Sequence, residues 1–229
     1  MFVVKIGGSI LFDENNQIND KLISKYAKTI RNVINDTEKR CAIIVGGGKL
    51  ARKYIALARQ YGASEENCDI IGIETAKLNA RLLIAAIGES AYETPPNNLE
   101  EFQDFYNQSK KIIVCGGFKP GQSTNAVAAS IAEISNAEKL INLTNVDGVY
   151  SDDPETNPNA KLLEKITIAE LEEMMSKHQI KAGYYPLFDP TAIKIAKRSK
   201  IPIQFANGNT PENLARIISG EKVGTAVIF

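Results

Sequence analysis

The stretch Phe2-Val3-Val4-Lys5-Ile6-Gly7-Gly8-Ser9 sets the pattern on which the chain is built: a short, nearly unbroken apolar run that stops at paired glycines. The same figure returns at residues 42–45 before Gly46-Gly47-Gly48, and at residues 112–115 before Gly116-Gly117. Runs this short and this rich in Val and Ile read as buried strands, the habit of parallel sheets covered on both faces. Residues 140–143, 201–205 and 226–229 add further runs of the kind, each far enough from its predecessor for a helical crossover. Residues 21–34, 50–61, 70–87, 126–134 and 190–199 carry apolar side chains at helical spacing with Lys, Arg or Glu between them. An α/β fold around a mainly parallel open sheet is therefore expected. Pro95-Pro96-Asn97-Asn98 and residues 152–159 read as loops.

A chain of 229 residues suits one two-lobed domain better than two domains. Lys plus Arg and Asp plus Glu number 27 each, which leaves no basic field to hold nucleic acid or an anionic membrane. Any anion must be held by a local site. The three cysteines, Cys41, Cys68 and Cys115, lack CxxC spacing and fit reduced thiols in a cytosolic protein rather than metal ligands. Residues 1–4 are too short an apolar stretch for a secretion signal, and no run approaches membrane-spanning length, so a soluble cytoplasmic protein is expected.

Ligands of open α/β sheets gather outside the carboxyl ends of the strands, and here those ends carry most of the glycines. At Lys5-Ile6-Gly7-Gly8-Ser9 the missing Cβ atoms let backbone N–H groups approach a phosphate, with Lys5 ready to neutralise charge; the same residues also suit a tight strand-to-helix turn with Lys5 in solvent. Gly46-Gly47-Gly48-Lys49-Leu50-Ala51-Arg52 follows a strand and opens a helix, an anion site within reach of Arg52. It also matches the dinucleotide fingerprint G-x-G-x-x-A, with Glu65, Glu66 and Asp69 about twenty residues on. A Rossmann acid should cap the next strand, whereas Glu65 and Glu66 read as a polar loop, and the Lys49/Arg52 pair suits terminal phosphates better.

Gly116-Gly117-Phe118-Lys119-Pro120-Gly121-Gln122-Ser123-Thr124 comes near the P-loop pattern, but Gln122 stands where the lysine is required, which disfavours a P-loop NTPase. It reads as a nucleoside clamp, with Phe118 for apolar contact and Thr124 for hydrogen bonding, or as a plain Gly-Pro-Gly turn. Thr144-Asn145-Val146-Asp147-Gly148-Val149-Tyr150 sets hydroxyl, amide, carboxylate and aromatic groups together, suited to a base and ribose, or to an Asx turn with Tyr150 packed beneath it. Two anionic ligands facing each other would use all four loops at one sheet edge, and that is the plan of a phosphotransferase.

The order of these four segments, with Asp153-Pro154 after the last, resembles the amino-acid-kinase family over the whole chain. Within it, residues 46–55 and 117–124 are similar to the archaeal uridylate kinases. The resemblance implies a three-layer αβα sandwich, with residues 1–138 as the acceptor lobe and 139–229 as the ATP lobe. It implies transfer of a phosphoryl group from ATP to UMP with Mg2+ held mainly through the ATP phosphates and no metal-ligating residue of its own, and a homo-oligomer, a hexamer assembled from dimers. Carried over by residue, it makes Lys5 and Arg52 catalytic. Gly8, Ser9, Gly48, Arg52, Thr144, Asn145, Tyr150 and Asp153 would hold ATP. Gly47, Asp69, Phe118, Lys119, Pro120, Gly121, Gln122, Ser123 and Thr124 would hold UMP.

Departures from the family pattern are informative. Many uridylate kinases have Asp where this chain has Asn125, and kinases of acetylglutamate or carbamate have a lysine where Leu187 stands. Isopentenyl phosphate kinases, the nearest alternative, use a histidine in place of Arg52, and the sole histidine here, His178, lies in a polar stretch. Asp189 and Asp147 could orient lysines and Lys194 could reach an ATP phosphate; an N-cap and a solvated helix face are the competing roles.

Overall fold

The computed structural model describes residues 1–152, 154, 157–176 and 187–229. The roles expected of Asp153 and His178 thus lie outside the described residues. Seven strands, β1 (Phe2–Ile6), β2 (Cys41–Val45), β3 (Ile113–Cys115), β4 (Lys139–Thr144), β5 (Lys165–Thr167), β6 (Ile203–Asn207) and β7 (Thr225–Ile228), form one sheet in the order β3-β2-β1-β4-β6-β7-β5. All neighbours run parallel except β6 and β7. From β1 the sheet grows through β2 to β3 on one side, then restarts with β4 on the other, so a crevice opens at the carboxyl ends of β1 and β4.

Alternation along the strands sorts the side chains into two cores. Phe2, Val4 and Ile6 face the layer of α1 (Asp20–Thr37), α3 (Glu65–Ile87) and α8 (Glu212–Ile218). Val3, Leu140, Ile203 and Phe205 face the layer of α4 (Leu99–Gln108), α5 (Thr124–Ile134), α6 (Ile168–Ser176) and α7 (Pro190–Ser199). The α2 helix (Gly48–Gln60) packs outside the first layer, through Ala51 and Ile55 with Cys68 of α3. This is the expected αβα sandwich. Among the polar residues on the second face are Lys5 and its register partner Asn142, side by side on adjacent central strands.

Some boundaries differ from the sequence reading. The α3 helix starts at Glu65, not at 70: the Ser64 side chain accepts the N–H of Asn67, and Glu65 and Glu66 sit in the first turn, where the helix dipole favours them. Both glutamates are therefore helical rather than in a loop, and Asp69 stands within α3 and caps nothing. The element after α2 is this helix and not a strand, so no Rossmann acid is in position. The β6 strand begins only at Ile203, after Pro202, which has no N–H to give a ladder. Helices α4, α6 and α8 and strand β5 were not anticipated. Of these, α4 is capped by Asn98, whose side chain accepts from Glu101 N–H.

Candidate active site

All four glycine-edged loops open into one cleft of about 820 Å3 at the crevice beside β1. The first two are pressed together through their backbones. A Cβ on Gly8 would stand 2.1 Å from the Gly46 carbonyl oxygen and 2.5 Å from the Gly48 nitrogen, so only glycine permits the approach. From α3, the buried Asn79 donates through Nδ2 to the carbonyl oxygens of Gly46 at 2.8 Å and Gly47 at 3.3 Å, holding the second loop from behind. Arg52, exposed on α2, donates to Ser9 Oγ at 2.8 Å and so hangs over the first loop. Lys49 Nζ reaches the Asp13 carbonyl oxygen at 3.3 Å.

At the floor lies Lys5. The residue is half-buried and lines the cleft. Burial lowers its pKa from 10.5, the carboxylate of Asp189 offsets part of that, and the result is about 8. Asp189 serves two ends. Its Oδ1 accepts from Ala192 N–H at 3.1 Å, capping α7, and its Oδ2 accepts from the Ser123 hydroxyl, which itself caps α5 by accepting from Ala126 N–H at 3.0 Å. Asp189 is thus the N-cap of α7, and its charge also raises the Lys5 pKa. Asp147 differs: its oxygens accept from Tyr150 OH at 3.2 Å and Asn207 Nδ2 at 2.9 Å, not from a lysine. Lys194 is exposed on α7 and does not line the cleft.

The third loop leaves β3 tight against α3, since a Cβ on Gly116 would stand 2.6 Å from the Lys77 nitrogen. Its exposed tip is tied back by Gly121 N–H donating to Asp69 Oδ2 at 2.8 Å. Of the residues expected to hold ligands, Lys5, Gly8, Ser9, Gly47, Gly48, Arg52, Asp69, Lys119, Gln122, Ser123, Thr124, Thr144, Asn145 and Tyr150 line the cleft. Phe118 instead packs on the core, and Pro120 and Gly121 stand exposed outside the lining. Asn79 and Asn142 escaped the sequence reading as site-building residues, and Asn125 was singled out there only as a departure from the family pattern. Asparagines inside a helix or a strand have no spacing signature, and only their partners reveal them.

Cationic and N–H-rich at one end, hydroxyl- and amide-rich toward β4, and tied by a carboxylate at the acceptor loop, the cleft can hold two phosphate-bearing ligands with their phosphates meeting over Lys5. Comparison with known proteins agrees in kind. The model of the amino acid kinase family matches residues 1–207. The uridylate kinase of Methanobrevibacter smithii is 46% identical over 226 residues, 99% of this chain and 98% of the relative, and that of Methanothermobacter thermautotrophicus is 44% identical over 226 residues with the same coverage. The crystal structure of uridylate kinase from Archaeoglobus fulgidus superposes with a TM-score of 0.85 at 41% identity, covering 99% of both chains.

Proposed function

The chain belongs to the amino acid kinase family, and from that premise we propose that it is a uridylate kinase, moving the γ-phosphoryl group of ATP onto the phosphate of UMP to give UDP and ADP for pyrimidine nucleotide synthesis. The observation that carries the reading is the meeting of four loops of phosphate- and nucleoside-binding character in one cleft with a cation at its floor. Similarity to uridylate kinases over nearly the full length specifies the acceptor.

The acceptor explains the chemistry the site needs. A phosphate monoester with its second pKa near ~6 is largely dianionic at neutral pH, so its oxygen attacks without a general base. What remains is to hold two polyanions in line and to absorb charge on the equatorial oxygens. Lys5 sits at the meeting point, still mostly protonated at pH 7 with its pKa of about 8. Arg52, braced on Ser9, and the N–H groups around Gly8 and Gly48 complete the phosphate end. Thr144, Asn145, Tyr150 and Asp153 take the nucleoside end of ATP. Gly47, Asp69, Lys119, Gln122, Ser123 and Thr124, which line the cleft, take UMP, which assigns the acceptor to residues 1–138 and ATP chiefly to residues 139–229.

The phosphate end fits Mg2+ carried in by ATP: its groups are an ammonium, a guanidinium and backbone N–H groups that order phosphates. Mg2+ on the phosphate oxygens supplies charge neutralisation and alignment of the transferring group. A homo-oligomer, a hexamer assembled from three dimers, is supported by large apolar side chains left exposed on α2 and α3, among them Tyr54, Leu57, Ile70 and Leu78. A cytoplasmic location accords with the substrates, and no helix among the described residues is long and apolar enough to cross a membrane. An ADP-release screen over UMP, CMP, dUMP, AMP, isopentenyl phosphate, acetylglutamate and carbamate tests the assignment. UMP is expected to lead, and a preference for isopentenyl phosphate would overturn it.

A further inference from the structure

Asn142 is an amide in the middle of an apolar strand, and one of its atoms is left unanswered. The residue is 0% exposed. Its Nδ2 donates to the Leu187 carbonyl oxygen at 3.2 Å and to Asn125 Oδ1 at 3.4 Å, while Asn125 Nδ2 donates to the same Leu187 carbonyl at 3.4 Å. Two acceptors on the nitrogen side fix which way the amide faces, so Oδ1 points away from them. Among the described residues, that oxygen is the one buried side-chain polar atom without a hydrogen-bond partner. A carbonyl shut from water with no donor is costly, and such an atom calls for an explanation.

A donor stands on the next strand. The parallel register pairs Lys5 of β1 with Asn142 of β4, about 4.8 Å apart between backbones, and both side chains leave the same face of the sheet. Lys5, Asn125 and Leu187 line the cleft, and Asn142 lies just beneath them. The Lys5 ammonium has three N–H groups on a long rotatable stem and makes no hydrogen bond to a described residue.

We propose that Asn142 is a positioning residue for phosphoryl transfer: its amide N–H groups pin the Leu187 carbonyl at the approach to α7, and its Oδ1 is the acceptor on which the Lys5 ammonium rests in the ligand-bearing site. A neutral acceptor suits this task because it orients the ammonium without cancelling the charge that must face the phosphates, which a carboxylate in contact would do. It also favours the charged form of Lys5 against the burial that weakens it. The charged groups around Lys5 are Asp189 on α7, with Lys194 exposed further along that helix, and Lys49 and Arg52 on α2. From β2 comes Ile44, and from α5 come Thr124 and Asn125, all uncharged.

The inference rests on the uridylate kinase reading, and its test separates the two. UDP formation and its pH dependence are measured for the parent protein, Asn142→Leu and Asn142→Asp, with thermal unfolding of each. Asn142→Leu keeps the volume and removes the amide. It is expected to lower kcat at pH 7 by roughly 10-fold with both KM values within about twofold, and to move the alkaline limb of kcat down by about one pH unit, the size of one hydrogen bond to a charged group. Asn142→Asp should move that limb upward. An unfolded Asn142→Asp leaves the decision to Asn142→Leu. An alkaline limb that stays put in folded Asn142→Leu, or an Asn142→Leu protein that does not fold, makes Asn142 a structural tie alone and overturns the proposal. A parent protein that forms no UDP sinks the functional reading and this inference with it.

Discussion

Where the Gly7-Gly8 and Gly46-Gly47-Gly48 loops meet, backbone lies against backbone; at the tip of the 116–124 loop, one carboxylate holds one N–H. The first region has no slack, because a Cβ at Gly8 would overlap the Gly46 carbonyl group. The second is exposed, and Gly121 takes a left-handed conformation at φ +74° with open space around it. The difference teaches a division of labour. On the proposed function, phosphate geometry is built into the sheet edge, whereas the grip on the acceptor is left to side chains that can change without disturbing the fold.

The sharpest attempt to break that contrast is at its rigid end. Lys5→Met should lower kcat by at least ~10²-fold, as removal of one preorganised charge does at such sites, and Arg52→Met should act in the same direction. Burial depresses the Lys5 pKa, so the parent kcat should fall as pH rises through about 8. Stability should move oppositely. Between about 8 and 10.5 the unfolded chain holds this proton more tightly than the folded one, so the Lys5 contribution to stability rises with pH across that window. Folded Lys5→Met should then melt above the parent at pH 7, with the gap narrowing toward pH 10.5, and equal melting at pH 7 would mean that Lys5 is solvated. Gly8→Ala should follow, costing about 3 kcal/mol of stability through the enforced overlap, as denaturant unfolding would read.

At the softer end, Asp69→Ala should raise the KM for UMP by roughly 10- to 150-fold, the equivalent of ~1.5–3 kcal/mol for a charged acceptor of hydrogen bonds. Its kcat and KM for ATP should barely change, because the carboxylate holds ground and transition states alike. A loss confined to kcat in steady-state kinetics would place Asp69 in the chemistry instead. The smallest effect is expected at Gly121→Ala. Nothing crowds a methyl group there, so only the left-handed backbone resists, at about 1 kcal/mol. An effect as large as that of Gly8→Ala would erase the distinction between the two regions.

Much of this was legible in the chain. The strands at Lys5, at Gly46 and at Thr144 could be read to within a residue or two because buried parallel strands are apolar on both faces, and their glycines marked the functional edge. The start of α3 was misread by five residues: Ser64 and the glutamates after it are a helix-start signal, but no apolar period runs through them. Helices α6 and α8 and strand β5 are short, and a period needs more than one or two turns to show.

The sequence by itself determined a mainly parallel α/β sheet and the presence of a phosphate-handling edge, since both follow from local composition and strand period. Only the tertiary structure decided which groups meet: Asn79 under the Gly46 and Gly47 carbonyls, Asp189 joined to Ser123, Asp69 to Gly121, and Asn142 beside Lys5. The physical reason is that such pairs join residues far apart in the chain across a sheet whose strand order reverses at β1. A hydrogen bond between them depends on that register, which no local pattern encodes.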